Sequence, residues 1–140
     1  MNVLVDTNIL LDFLLQREPF FHDAERLFQA IDSGQVIGYA TATTLTDIFY
    51  IARRHTGSME QARQAVLDTL TAMDICPVNR QVLETAFGSG FDDFEDAIQV
   101  ACAVTQRLDA ILTRDSQGFV NSSIPVLSVQ ECLQRLEDSL

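Results

Sequence analysis

A parallel α/β fold, its sheet covered by helices on both faces, is what the sequence predicts, and three observations carry that prediction. Short apolar runs recur along the chain, as in "VLV", "DICPV", "AILT" and "IPVLS". They are too continuous to alternate between core and solvent, which is the pattern of strands buried on both faces. Between them lie longer amphipathic segments bounded by capping residues, and strands that alternate with helices build a parallel sheet. The 140 residues suit one core, so a single domain over residues 1–140 is expected.

Taken in order, Val3–Val5 reads as a short buried strand. From Thr7 to about Gln16, Ile9, Leu10, Phe13 and Leu14 share one helical face. A second helix covers Phe20 to Ile31 and ends before Gly34. "QVIGYA" is the second strand, and "TATTLTDIFYIARRHTG" gives a helix from about Thr43 that stops near Gly57. Ser58 with Gln61 has the spacing of a capping box and opens a helix to about Met73. "DICPV" holds the third strand, Asn79 caps a helix through about Phe87, and "GSG" breaks the chain. Asp92 or Asp93 opens a long helix through about Arg107; "AILT" and "IPVLS" are strands four and five. Ser128 with Glu131 caps the last helix, and no repeat, low-complexity tract or linker interrupts the series.

Composition narrows the chemistry. Hydrophobic residues make up 47% of the chain, enough for an ordered core. No apolar run is long enough to span a bilayer, and no basic segment precedes the first apolar stretch, so a cytoplasmic location is expected. Cys76, Cys102 and Cys132 lack any paired metal-binding spacing and sit in apolar contexts, as buried free thiols do. Net charge is −11, and all nine basic residues are arginine. That balance disfavours non-specific duplex binding but suits a cation-neutralised carboxylate cluster or a basic protein partner. The missing lysine removes Walker-type phosphate binding and Schiff-base chemistry.

Four carboxylates stand where carboxylates need a reason. Asp6 follows the first strand directly, Asp115 follows the fourth, and Asp96 lies in the first turn of a long helix. Each alone reads equally well as a cap, a turn or a dipole-favoured acid. Asp47, between Leu45 and Ile48, lies inside an apolar helical stretch, where an acid is costly unless paired or solvated. Ligand sites of such sheets lie beyond the carboxyl ends of the strands, where these elements can converge. Clustered carboxylates repel one another unless cations bind, and oxygen-only donors suit Mg²⁺ or Mn²⁺ rather than Zn²⁺. His22 and His55 sit in polar helical contexts and read as surface residues.

The segments "VLVDTNILLDFL", "TTLTDIFYIARR", "DFEDAIQVACA" and "AILTRDSQGF" resemble, in order and over nearly the whole chain, a PIN-domain ribonuclease, and most closely a VapC-like toxin of a toxin–antitoxin pair. The resemblance implies a three-layer α/β/α sandwich with a parallel, roughly five-stranded sheet. It also implies an Mg²⁺- or Mn²⁺-dependent endoribonuclease that leaves a 5′-phosphate and a 3′-hydroxyl, an antitoxin protein as partner, and a homodimer. On this resemblance Asp6, Asp47, Asp96 and Asp115 are the catalytic acids, with Asp6, Asp96 and Asp115 holding the metal. Asp47 stands where the family usually has glutamate. Thr7 and Asn8 complete the Asp-Thr-Asn signature, and Thr113 and Arg114 orient Asp115 or meet a phosphate. Gly118 stands where many members carry a further aspartate. Asp92, Asp93 and Glu95 are expected to cap or to face solvent. Two other readings remain open: a non-catalytic PIN-like module that binds RNA or protein, and a phosphoacceptor signalling domain, against which the missing lysine counts.

Overall fold

The computed structural model describes all residues from Met1 to Leu140. Five parallel strands form one sheet in the order β3-β2-β1-β4-β5. They are β1 (Asn2–Val5), β2 (Ile37–Thr41), β3 (Asp74–Cys76), β4 (Ala110–Leu112) and β5 (Val126–Leu127). The helices are α1 (Thr7–Leu14), α2 (Phe21–Asp32), α3 (Ala42–Thr56), α4 (Met59–Ala72), α5 (Arg80–Phe87), α6 (Phe94–Thr105) and α7 (Val129–Asp138).

The central strand shows why this is a three-layer sandwich. Val3 and Val5 point into a core shared with α1, α2, α3, α4 and α7, whereas Leu4 points into a second core with α5 and α6. All three side chains are buried, so β1 is apolar on both faces, as a central parallel strand must be. Ala97, Ala101 and Ala103 let α6 lie close to its face of the sheet.

Most boundaries fall within two residues of the sequence expectation, because capping chemistry sets them. Thr41, Ser58, Asn79, Asp93 and Ser128 each accept a backbone N–H of the following first turn. Gly57 closes α3 at φ 67°, a left-handed position where glycine carries no Cβ penalty. Ser128 and Glu131 complete a reciprocal capping box. Ser58 makes only half of one, because its own N–H goes to Thr56 Oγ1. A 3₁₀ turn at Ser116–Phe119, which the sequence reading left out, follows β4 and seats Phe119 in the second core. No helix is long and apolar enough to cross a membrane, all three cysteines are free and buried, and both histidines are exposed.

The chain reverses its direction of winding between β1 and β4. β2 and β3 extend the sheet on one side of β1, and β4 and β5 on the other. A crevice at the carboxyl ends of such a strand pair is the usual ligand position of a doubly wound sheet. Beside it, Asp12 on α1 is 1% exposed and pairs with Arg17 at 2.9 Å and Arg114 at 2.7 Å. Removing one side of a buried pair strands the other charge. Asp12→Ala is expected to lower the unfolding free energy by about 3 kcal/mol, towards the low end of the buried-pair range because both arginines keep some solvent; equilibrium urea unfolding measures it.

Candidate active site at the carboxyl edge of the sheet

Asp6 sits at the switch point because the β-ladder carries it there. Its N–H donates to Leu112 O at 2.9 Å, one step beyond the last β1–β4 pair, so it lies opposite Thr113. Its side chain does not cap α1; both oxygens face inward. Oδ1 accepts from Gln99 Nε2 at 3.0 Å and Oδ2 from Thr113 Oγ1 at 2.8 Å. Gln99 is 2% exposed and Thr113 3%, so this carboxylate is held by two buried donors from different elements. Each oxygen still has a free lone pair.

Asp96 and Asp115 meet across Gly118. A Cβ at Gly118 would lie 2.6 Å from Asp96 Oδ2 and 3.4 Å from Asp115 Oδ2, so both carboxylates border the space that this glycine leaves open. Asp93 caps α6 by accepting the Asp96 N–H at 2.9 Å, which aims Asp96 at that space. Burial raises the Asp96 carboxyl from 3.8 to about 6, with repulsion from Asp93, Asp6 and Asp115 adding to it.

Glu95 corrects the expectation of a solvent-facing or capping residue. It is half-buried and turns to Asp47 on α3. A carboxyl–carboxyl hydrogen bond requires one side to keep a proton. That contact is the largest of the influences that raise Glu95 to about 8; burial and the charges of Asp47, Asp93 and Asp6 follow. Ionised, Glu95 leaves Oε1 buried with no donor. The sequence offered one signal: Glu95 and Gln99 are four apart and share a helical face.

Arg114 corrects a second expectation. It makes no hydrogen bond to Asp115; its Nε donates to Asp12 Oδ2 at 2.7 Å and its guanidinium lies 3.7 Å from the centroid of the Phe20 ring. A buried Asp12 demands that partner. Thr113 serves two acids: it donates to Asp6 and accepts the Asp115 N–H at 3.0 Å. Thr7 joins a buried hydroxyl chain with Thr44 and Thr41 that ties α1 to α3, one turn before Asp47. Asn8 is exposed and accepts from Arg17 through its carbonyl at 2.9 Å.

Asp6, Asp47, Asp96 and Asp115 thus come from four separate elements to one edge, with Glu95 added. No three of these side chains close on a common point tightly enough to grip an ion as they stand, in keeping with like charges favouring separation. The donor set is all oxygen, which fits a hard divalent cation and not zinc. The buried, donor-less Glu95 Oε1 is the kind of atom that such a cation satisfies.

A carboxyl whose folded pKa stands above its unfolded one binds its proton more tightly in the native state. Its contribution to stability is complete below 3.8 and lost as pH climbs through about 6. Without divalent cations, Asp96→Asn is therefore expected to melt at or above the wild type at pH 8, with the advantage vanishing towards acid pH; thermal melting across pH checks it. Gly118→Ala is expected to displace the Asp96 carboxylate in a crystal structure. It should change the unfolding free energy by no more than about 1 kcal/mol, because only the end of a flexible side chain must move.

Known proteins share this fold. A PIN domain family profile matches residues 2–117. Among solved structures, Mycobacterium tuberculosis VapC20, described as a sarcin-ricin loop cleaving toxin, superposes with a TM-score of 0.69 at 16% identity, covering 85% of this chain and 94% of that one. A toxin–antitoxin complex from Klebsiella pneumoniae gives 0.65 at 22% identity, covering 91% and 97%. VapBC2 from Rickettsia felis, bound to a DNA fragment from its promoter, gives 0.67 at 12% identity, covering 91% and 98%. The search of curated proteins finds no match. At these identities the structures speak for the fold, and the profile, spanning most of the sequence, speaks for the family: this chain belongs to the PIN domain family.

Proposed function

We propose that the protein is a divalent-cation-dependent endoribonuclease, a single PIN-like domain over residues 1–140, acting as the toxin of a toxin–antitoxin pair. The observation that carries this reading is the convergence of acids from β1, α3, α6 and the β4 turn at the switch point of a PIN fold, with Asp6 held by two buried donors. The toxin–antitoxin complexes among the similar folds support a basic antitoxin as partner, which an acidic chain of net charge −11 would attract. A cytoplasmic homodimer completes the proposal. Leu27 and Ala30 of α2 are covered by the chain's own core, whereas exposed apolar residues include Met59, Leu67 and Leu70 on α4 and Leu83 and Phe87 on α5.

In this reading Asp6, Asp96 and Asp115 hold Mg²⁺ or Mn²⁺, with Asp47 assisting. Held there, such an ion would lower the pKa of a bound water and offset charge on the scissile phosphate. Gln99 and Thr113 keep both Asp6 oxygens in one orientation, so that the ligand does not have to be ordered when substrate arrives. Thr113 fixes the start of the Asp115 turn through the Asp115 N–H. Gly118 leaves the space between the Asp96 and Asp115 carboxylates open, and these two acids would hold the ion there.

Cleavage of single-stranded or structured RNA is expected to need Mn²⁺ or Mg²⁺, to stop in chelator, and to yield 5′-phosphate and 3′-hydroxyl ends. Asp6→Asn is expected to lower turnover at least about a hundredfold, the scale on which loss of one electrostatic stabiliser acts. A gel-based cleavage assay reads both. RNA binding without cleavage by the wild type would instead make it a non-catalytic binding module.

A further inference from the structure

Phe20 is an aromatic side chain that the fold does not bury. It is 39% exposed and belongs to neither core, whereas its neighbour Phe21 stacks on Phe13. It is nevertheless held in place. The Arg114 guanidinium lies 3.7 Å from its ring centroid, well inside the reach of a cation–π contact. Asp12 fixes that guanidinium by accepting from Nε at 2.7 Å and from Nη2 at 3.2 Å. Phe20 and Arg114 line a cavity of about 220 Å³, with Ile9 and Val129 as further apolar wall and Asp23 and Gln130 as hydrogen-bonding groups. The cavity adjoins the acids. Thr113, which donates to Asp6 Oδ2, forms part of its wall, and Arg114 directly precedes Asp115. It is smaller than the roughly 300–1,000 Å³ of clefts that take drug-sized ligands, so one flat ring system suits it and a helix does not. Arg17 and Arg114 share the one carboxylate of Asp12, so a positive charge is left over there. That charge offsets the repulsion which a chain of net charge −11 would present to a polyanion.

We propose that this cavity is a base-binding subsite for single-stranded RNA, in which a nucleobase near the scissile phosphate stacks on the Phe20–Arg114 pair. Unpaired bases are recognised by stacking on aromatic rings and guanidinium planes. The pair is ordered before substrate arrives, so it can place the strand against Asp6 and Asp115 at little cost in entropy. Phe20 and Arg114 are positioning residues here and touch no reacting atom. The subsite rests on the nuclease reading and adds what the acids cannot supply, a preference for an unpaired strand over a duplex whose bases are already stacked.

The test is fluorescence anisotropy with a labelled single-stranded oligocytidylate in Mg²⁺. It uses the full chain in the Asp6→Asn background, where cleavage is slow, with folding checked by circular dichroism. Phe20→Ala is expected to weaken binding by at least about fivefold, the lower end of the effect of losing one stacked base. Phe20→Trp is expected to bind at least as tightly as the parent. On an oligomer of the same length with abasic riboses, Phe20→Ala and the parent should bind equally. Val104→Ala, at a position 46% exposed near the opposite end of α6 from Asp96, should bind oligocytidylate as the parent does. Should Phe20→Ala prove unfolded, Arg114→Lys keeps the charge beside Asp12 but loses the guanidinium plane, and is expected to show the same base-dependent loss. Equal binding of oligocytidylate by Phe20→Ala and the parent would overturn the proposal. A loss that persists on the abasic oligomer would overturn it too, since the contact would then be to the backbone. If Phe20→Ala binds as the parent while the otherwise wild-type chain cuts RNA in Mn²⁺, the nuclease reading stands and the subsite falls. If the base-dependent loss is seen but the wild type cuts no RNA in Mn²⁺, the subsite stands and the nuclease falls.

Discussion

The buried carboxylate of Asp6 is the constraint around which the rest is arranged. An ionised group 8% exposed at the end of a central strand is tolerable only with donors to both oxygens. Those donors come from the far side of the chain: Gln99 from α6 and Thr113 from the end of β4. The parallel β1–β4 ladder makes the second contact, and the alanine-rich face of α6 makes the first by letting that helix approach the sheet. Satisfying one acid thus draws β4 and α6 to the same point, and with them Asp115 and Asp96.

The cost of that arrangement appears in its neighbours. Asp96 is raised to about 6 by burial and by three nearby carboxylates, and Glu95 to about 8 chiefly by its contact with Asp47. A fold selected for stability alone would not gather so many like charges at one edge; the strain is concentrated where a cation would relieve it. The crowding is confined. Asp93, in the same short segment, does an ordinary structural job as the cap of α6.

Asp12 shows how a structural acid can imitate a catalytic one. It too lies inside an apolar helical run, "LLDFLL", and it is more deeply buried than Asp6. Arg17 and Arg114 explain it fully: the charge is paired, and Arg114 is further held over Phe20. That pairing takes Arg114 away from the role its place in "TRD" suggests. What separates the two acids is the chemistry of their partners. Neutral donors hold Asp6 in place without neutralising it, whereas cationic donors neutralise Asp12.

The sequence by itself determined the layered architecture. Apolar runs without alternation require strands buried on both sides, and serine, threonine, asparagine and aspartate at the helix starts set the boundaries. It also singled out Asp6, Asp96 and Asp115 at the ends of apolar elements and Asp47 inside one, a local property. The tertiary structure alone decided the strand order, since "AILT" carries nothing to say that it lies beside "VLV" and 107 residues separate Asp6 from Thr113. Partnership was likewise out of reach of local pattern. Gln99 lies in an apolar helix like any tolerated polar residue, Glu95 lies in an acidic turn like any solvated charge, and Arg114 lies beside an acid it does not touch. Which group satisfies which depends on contacts between elements far apart in the chain, and those exist only once the sheet has closed its register and the helices have docked.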